Sequence, residues 1–234
     1  MENSSFDCAQ DERDFEMGKN VGHASSVTYK VFGVKMNRKT LWVGGLSLLV
    51  VGAAALTLVF TKPASFRGTS YGEPYPQAAE IELTKSNGET FRLSEQKGKI
   101  VLLFFGYTSC PDVCPTTLAE LNQVMDKLGA KTRQVHVVFV SVDPERDTPE
   151  KIQEYVAHFN ENFIGLTGSP DDLQIIWDNY GVFRERVESE SAFGYIINHT
   201  ARTYLIDADG NLRLSYGFQT PVADMVHDIE ILLK

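Results

Sequence analysis

An apolar run that leads directly into two closely spaced cysteines is the feature of this chain that most constrains its fold. Residues 100–105 read Ile-Val-Leu-Leu-Phe-Phe, and residues 106–115 read Gly-Tyr-Thr-Ser-Cys-Pro-Asp-Val-Cys-Pro. The run predicts a buried strand, and the prolines after it predict a turn at the start of a helix. Because the free N–H groups and the positive dipole end of a helix N-terminus stabilise thiolates, Cys110 and Cys114 are predicted to be reactive.

The spacing of Cys110 and Cys114 limits what the pair can do. With three residues between them, the two sulfurs stand at positions i and i+4 and share one face if the turn is helical. They are then close enough for one disulfide or one metal ion. The chain has only three cysteines, which excludes a framework of several disulfides and indicates a redox couple or a metal site. Cys8 lies in an acidic segment without a neighbouring cysteine or histidine, and we interpret it as an incidental exposed thiol.

The charge of the chain argues against one class of function. Its formal net charge is −9 over 234 residues, and the globular part shows no basic stripe interleaved with aromatic residues. We therefore exclude nucleic-acid binding. The composition, 43% hydrophobic and 23% charged, fits one globular domain with an added membrane segment.

Residues 41–61 contain no charged side chain. Their number matches the roughly 20 residues that a helix needs to cross a bilayer core, so a single transmembrane helix is predicted. The positive-inside rule places residues 1–40 in the cytoplasm as a polar tail. The tail is acidic, unlike a mitochondrial presequence, which favours a bacterial cytoplasmic membrane with the globular domain outside. Four flanking basic residues precede the run and two follow it: Lys30, Lys35, Arg38 and Lys39, then Lys62 and Arg67.

The remaining chain divides into a tether and a globular domain. Residues 62–77 are rich in Pro, Gly, Ser and Tyr, as expected of a tether, and residues 78–234 form the predicted domain. Residues 182–198 carry no clear pattern apart from a polar stretch that suggests an exposed hairpin tip. The other predicted elements are a hairpin (80–83 with 90–93), a strand at 134–142, a short strand at 162–166, a second hairpin (202–206 with 212–216), and helices at 116–128, 149–159, 170–180 and 222–233.

This order of elements predicts an α/β thioredoxin-like sandwich preceded by a single transmembrane helix. Parallel pairing of strands 100–105 and 134–142 requires a crossover, which helix 116–128 supplies. In open sheets of this kind, sites form at the carboxyl ends of strands. Cys110 lies just past such an end.

Three kinds of chemistry suit two thiols at this position. A dithiol that exchanges disulfides usually has two residues between its cysteines, and a third loosens their coupling. A thiol peroxidase needs hydroxyl and cationic groups beside the thiolate, whereas Tyr107 stands three residues before Cys110 and no arginine is near in sequence. Two thiolates with one imidazole suit Cu(I), and accept Cu(II) if an oxygen completes the shell. A structural zinc site would normally require a fourth protein ligand.

A copper site of this kind needs one histidine. His199 lies just before the predicted strand 202–206, in the loop that faces the active thiols of thioredoxin-like folds and usually carries a cis-proline. No proline occurs between Pro170 and Pro221, so His199 is a candidate ligand. The other four histidines are interpreted as packed or surface residues: His23, His136, His158 and His227.

Three separated motifs resemble the Sco/SenC family of cytochrome oxidase assembly proteins. They are Phe-Gly-Tyr-Thr-Ser-Cys-Pro-Asp-Val-Cys-Pro-Thr-Thr-Leu at 105–118, Val-Asp-Pro-Glu-Arg-Asp-Thr-Pro at 142–149, and His199 ahead of Tyr-Leu-Ile-Asp at 204–207. The resemblance also includes Phe-Arg-Gly-Thr at 66–69. It implies a thioredoxin-like domain outside the membrane that binds one copper ion per chain. The ligands that it implies are Cys110, Cys114 and His199.

The expected function is that of a membrane-anchored copper chaperone. The resemblance implies delivery of copper to the binuclear copper site of cytochrome c oxidase subunit II, or maintenance of the thiols of that site. Other copper chaperones and thiol-disulfide reductases are further expected partners. An extracytoplasmic thiol-disulfide reductase, an enzyme in which Cys110 and Cys114 form the redox-active pair, is the alternative. A third hypothesis, a copper or redox sensor, would give the acidic tail a signalling role.

Overall fold

The computed structural model describes residues 51–52, 65–189 and 194–234. The predicted tail at 1–40, with Cys8 and His23, lies outside the described residues, as does the predicted transmembrane helix except for the two helical residues 51–52. Within the described ranges, none of the helices combines the length and the apolar character that crossing a membrane requires. Residues 63–234 form one compact unit.

Residues 65–189 and 194–234 form ten strands and four α-helices. The strands are β1 Thr69–Ser70, β2 Glu82–Thr84, β3 Thr90–Arg92, β4 Ile100–Gly106, β5 Val135–Ser141, β6 Ile164–Leu166, β7 Arg184–Glu188, β8 Tyr195–His199, β9 Arg202–Ile206 and β10 Leu212–Gly217. The helices are α1 Val113–Leu128, α2 Pro149–Ala157, α3 Pro170–Tyr180 and α4 Val222–Leu232, with 3₁₀ turns at Leu93–Gln96 and Gly129–Gln134.

Six strands form the central sheet, in the order β1-β10-β9-β4-β5-β6. Strand β4 pairs in parallel with β5 and antiparallel with β9, and β5 pairs in parallel with β6. All seven residues of β4 are buried, as expected for a strand covered on both faces. Helix α1 provides the crossover between β4 and β5 and packs against α4. The predicted α/β thioredoxin-like fold is confirmed.

Helix boundaries follow the local signals in the sequence. The Thr148 side chain accepts a hydrogen bond from the Lys151 N–H, and Ser169 does the same for Asp172, with a proline at the start of each helix. Gly181 ends α3 in the left-handed conformation, with φ of 63°. The helices predicted at 149–159 and 170–180 are therefore confirmed, the first ending two residues earlier.

Residues 65–77, within the predicted tether, take part in the described fold. Strand β1 pairs with β10 at the edge of the central sheet. The backbone N–H groups of Arg67 and Gly68 donate hydrogen bonds to the buried Asp228 carboxylate at 2.8–3.1 Å. A buried carboxylate needs such donors, and they come from a segment that composition alone describes as a linker.

Candidate metal centre

Cys110 and Cys114 are positioned by the end of β4 and the start of α1. Cys110 closes a turn through its N–H, which donates to the Tyr107 carbonyl at 3.3 Å. Cys114 is the second residue of α1 and is fully buried. Asp112 stands at the N-cap without a capping hydrogen bond from its side chain. Instead, the Cys114 N–H donates to the Cys110 sulfur at 3.4 Å, as the predicted helix-terminus effect requires.

His199 reaches the thiols from a separate hairpin. It is the last residue of β8, which pairs antiparallel with β7, rather than a residue of an irregular loop as predicted. Its Nε2 lies 3.6 Å from the Cys114 sulfur. Its Nδ1 lies 3.1 Å from the Thr200 carbonyl oxygen. A carbonyl oxygen only accepts, so Nδ1 carries a proton, and Nε2 is the ring nitrogen that faces the sulfurs.

Aromatic rings set the orientation of the His199 imidazole. The Tyr107 ring meets it edge to face at 5.8 Å between centroids, and Phe104 does so at 6.4 Å. The Tyr107 hydroxyl also accepts a hydrogen bond from the Ile197 N–H at 3.2 Å. Tyr107 thus connects the thiol turn to the strand that carries His199.

The loop between β5 and α2 holds both sides of the site in place. The buried Asp147 carboxylate accepts hydrogen bonds from the Thr108 N–H, the Thr108 hydroxyl and the Ser141 hydroxyl. Asp143, also buried, accepts from the Tyr195 hydroxyl at 2.8 Å and from the Arg146 guanidinium. The Arg146 guanidinium in turn stacks over the Tyr195 ring at 3.7 Å.

In the sequence, residues 142–149 stand out only as one of the three motifs that carry the resemblance, and this positioning role does not follow from them. The available signal was the density of charged residues in this loop, which reads Asp-Pro-Glu-Arg-Asp at 143–147. Tyr107, Asp143 and Asp147 act through contacts to distant residues, which no local pattern reveals.

The two thiols have opposite protonation behaviour. A hydrogen bond from the Cys114 thiol, with smaller contributions from His199 and backbone N–H groups, lowers the pKa of Cys110 to about 4 although burial opposes this. Burial raises the pKa of Cys114 well above its ordinary value, and the neighbouring Cys110 adds to that shift. The reduced, metal-free pair therefore carries one thiolate and one thiol at neutral pH.

The structure brings together the three residues that were predicted as metal ligands. Among the residues it describes, Cys110, Cys114 and His199 form the one group of three or more potential ligands, with donor atoms all within 4.8 Å of one another. The remaining described histidines make other contacts: His136 with the Gln96 side chain, His158 with the Glu154 carbonyl and His227 with the Ser65 carbonyl.

The donor set fits copper. Two sulfurs and one imidazole nitrogen are soft or borderline ligands, and three of them suit Cu(I). A structural zinc site would require a fourth ligand, and the part of the chain that the structure describes offers no fourth His, Cys, Asp or Glu to this group. Cys110 and His199 are half-buried and line a hollow of about 260 Å³, so the site is accessible from one side.

Comparisons with known proteins agree with this geometry. The model of the SCO1/SenC family matches residues 70–234. An SCO2-like protein of Rickettsia felis is 35% identical over 183 residues, which cover 76% of this chain and 89% of the relative. The structure of Bradyrhizobium japonicum ScoI with copper bound superposes with a TM-score of 0.61 at 35% identity, covering 67% of this chain and 99% of that chain. Apo Sco1 from Thermus thermophilus superposes with a TM-score of 0.64 at 38% identity, covering 73% and 99%. The resemblance inferred from three motifs is thereby confirmed, and the chain belongs to the SCO1/SenC family.

Proposed function

We propose that this chain is a membrane-anchored copper chaperone. It binds one copper ion through Cys110, Cys114 and His199. It delivers the ion to the binuclear copper site of cytochrome c oxidase subunit II, or keeps the thiols of that site reduced. Other copper chaperones and thiol-disulfide reductases are its further partners.

The observation that carries this proposal is the convergence of three soft donors from three separate elements within 4.8 Å. The turn after β4, the first turn of α1 and the end of β8 each supply one donor. A set of donors held by a packed sheet and helix is preorganised for a metal. The copper-bound relative from Bradyrhizobium supports copper as that metal.

The unequal burial of the donors suits transfer rather than permanent binding. Cys110 and His199 are half-buried at the mouth of the hollow, whereas Cys114 is fully buried behind them. Ligands of a partner can therefore displace the two accessible donors first. Copper, as the cargo, leaves the buried sulfur last.

The redox state of the thiols gates copper loading. Oxidation of the Cys110 thiolate and the Cys114 thiol to a disulfide, by an oxidant of the protein-disulfide class, transfers two electrons to that oxidant, releases one proton and removes both sulfur ligands. A chain in the disulfide form then retains only His199. A reductant of the dithiol class is required before it accepts copper again.

The predicted topology places this chemistry outside the cytoplasm. The uncharged residues 41–61 act as the membrane anchor, and the basic residues before them keep the tail at 1–40 inside. The globular domain then faces the extracytoplasmic side of a bacterial membrane, where the copper domain of an oxidase would be reached.

A thiol-disulfide reductase is the second candidate, favoured by the low pKa of Cys110. The Cys110 thiolate would attack a target disulfide and release one target sulfur as a thiolate. Cys114 would then attack the mixed disulfide, lose its proton and release the second target thiol. This activity requires both cysteines and survives the loss of His199.

The deciding experiment measures copper stoichiometry and affinity on the reduced full-length chain in detergent, for both copper oxidation states. The chaperone proposal expects about one copper per chain and strong weakening in His199→Ala. The matched control is His158→Ala, since His158 is an exposed histidine of the same domain. Weak copper binding that is indifferent to His199 would overturn the proposal and favour the reductase.

A further inference from the structure

Two hollows lie beside the thiols and helix α1. The hollow beside Cys110 is lined by Tyr107, Pro111, Val113 and Ile196, among others. A second and much smaller hollow, of about 10 Å³, is lined by Thr117, Glu120 and Phe218, among others. Ala201 lines both hollows, so they adjoin. We name the combined surface the Ala201 groove.

One wall of the Ala201 groove is a single face of α1. Val113, Thr117 and Glu120 stand at positions i, i+4 and i+7 of the helix and therefore follow one another along its surface. Cys114 lies in the first turn of the same helix. A partner that follows this wall is thus led to the metal ligands.

The opposite wall ends in an exposed phenylalanine. Strand β10 runs parallel to β4, because each is antiparallel to β9, so both end at the edge of the sheet that carries the thiols. Phe218 follows β10 and is 37% exposed. The next residue, Gln219, has φ of 62°, which is uncommon for a side chain other than glycine. The Thr220 N–H and hydroxyl both donate to the Gly217 carbonyl, at 3.2 and 2.8 Å, and hold this turn.

The charges along the Ala201 groove have one sign. The ionisable side chains that line the two hollows, apart from Tyr107, Tyr216, Cys110 and His199, are Asp112 and Glu120. No lysine or arginine is among the residues that line them. Each of the two hollows therefore carries one carboxylate, that of Asp112 at the N-cap of α1 or that of Glu120 within α1, among largely apolar residues. Such a surface complements an apolar side chain with a cationic neighbour.

We propose that the Ala201 groove docks the copper-receiving protein, through a segment in which an apolar side chain is flanked by lysine or arginine. The apolar side chain packs beside Phe218, and the cationic side chain pairs with Glu120. Docking there brings the ligands of the receiver to the accessible side of Cys110 and His199. This inference rests on the proposed copper chaperone function and names the surface that the receiver contacts.

The test uses copper-loaded full-length chain in detergent and purified, reduced, copper-free subunit II of cytochrome c oxidase as the probe. Phe218→Asp and Glu120→Lys are each expected to weaken complex formation at least tenfold and to slow copper transfer in proportion. Copper stoichiometry is expected to stay unchanged in both variants, because neither residue is a ligand. Ile175→Asp is the matched control, since Ile175 is 62% exposed and lies on α3, outside the groove.

These results distinguish the docking proposal from the proposed copper chaperone function. If both variants bind subunit II and transfer copper at wild-type levels, docking at the Ala201 groove is wrong. It is also wrong if the wild-type chain loads copper but does not bind subunit II. An equal loss in Ile175→Asp would also overturn it. The copper chaperone proposal itself fails in a different measurement, if His199→Ala binds copper as well as the wild type does.

Discussion

The Cys114 sulfur lies 3.6 Å from His199 Nε2, although 85 positions separate the two residues in the chain. One atom belongs to the first turn of α1 and the other to the end of β8. Their distance depends on how the β7–β8 hairpin sits against the thiol turn. Tyr107 and the Asp143–Tyr195 hydrogen bond fasten that contact.

The low pKa of Cys110 is expected to depend on the Cys114 thiol. That thiol is the main donor to the Cys110 sulfur, so Cys114→Ala should raise the pKa of Cys110 above about 4. Cys114→Ser keeps a hydroxyl donor and is the matched control. The measurement is the pH dependence of alkylation by iodoacetamide in the reduced, metal-free protein. In the wild type the rate should stay high until the pH falls towards 4. An unchanged profile in Cys114→Ala would contradict this account.

Gly106 leaves room for the Cys114 sulfur, and a methyl group there is expected to displace this proposed copper ligand. A Cβ atom at this position would lie 2.6 Å from the Phe139 ring and 2.8 Å from the Cys114 sulfur. Gly106→Ala should lower the free energy of unfolding by about 1–3 kcal/mol through overpacking, and should weaken copper binding. Urea unfolding and a copper competition assay measure the two effects. Gly217→Ala is the control, because a Cβ there meets nothing within 4 Å. Wild-type copper affinity in Gly106→Ala would show that the sulfur can shift without consequence.

Tyr107→Phe is expected to weaken the contact between the thiol turn and β8. The substitution removes the acceptor of the buried Ile197 N–H but keeps the ring that packs on His199. An unpaired buried donor costs about 1–3 kcal/mol, so urea unfolding should show a loss of that size. Tyr71→Phe, at a residue that is 40% exposed, should change the unfolding free energy by less than about 0.5 kcal/mol. Equal losses in the two variants would count against a role for the hydroxyl.

Asp228→Ala is expected to release residues 65–77, whose backbone N–H groups at Arg67 and Gly68 bind the Asp228 carboxylate. It removes the acceptor of the Arg67 and Gly68 N–H groups. Hydrogen bonds to a buried charged group are worth about 1.5–3 kcal/mol each, so the loss of these two should destabilise the domain by about 3–6 kcal/mol. Trypsin should cleave after Arg67 faster than in the wild type, as mass spectrometry of the fragments would show.

Asp224→Ala is the control for this prediction. It breaks only the ion pair between Asp224 and the Arg67 guanidinium, in which both side chains are partly exposed, and should cost at most about 1 kcal/mol. Cleavage after Arg67 at the wild-type rate in Asp228→Ala would show that the segment is held by other contacts.

Local patterns in the sequence were sufficient for most of the fold. The apolar run of β4, the crossover helix α1 and the predicted helices at 149–159 and 170–180 all arise from residues that interact with near neighbours in the chain. The thiol turn belongs to this class, because Cys110 and Cys114 are four positions apart. The motifs also predicted the family, which the comparisons confirmed.

Long-range contacts decided the rest. Strand β7 is mostly exposed and polar. It therefore lacks the alternation of apolar and polar residues from which a strand can be predicted. Nor could composition show that Arg67 and Gly68 satisfy Asp228, about 160 positions away.

The sequence by itself determined the strand, the turn, the helix and the two sulfurs, since their physics is local. Only the tertiary structure decided that His199 is the last residue of a strand, that its Nε2 faces the sulfurs, and that Tyr107 and Asp147 support the site. Those relations depend on buried hydrogen bonds and ring packing between elements distant in the chain. Which residues form these contacts depends on how the elements pack in the core, and local sequence does not specify it.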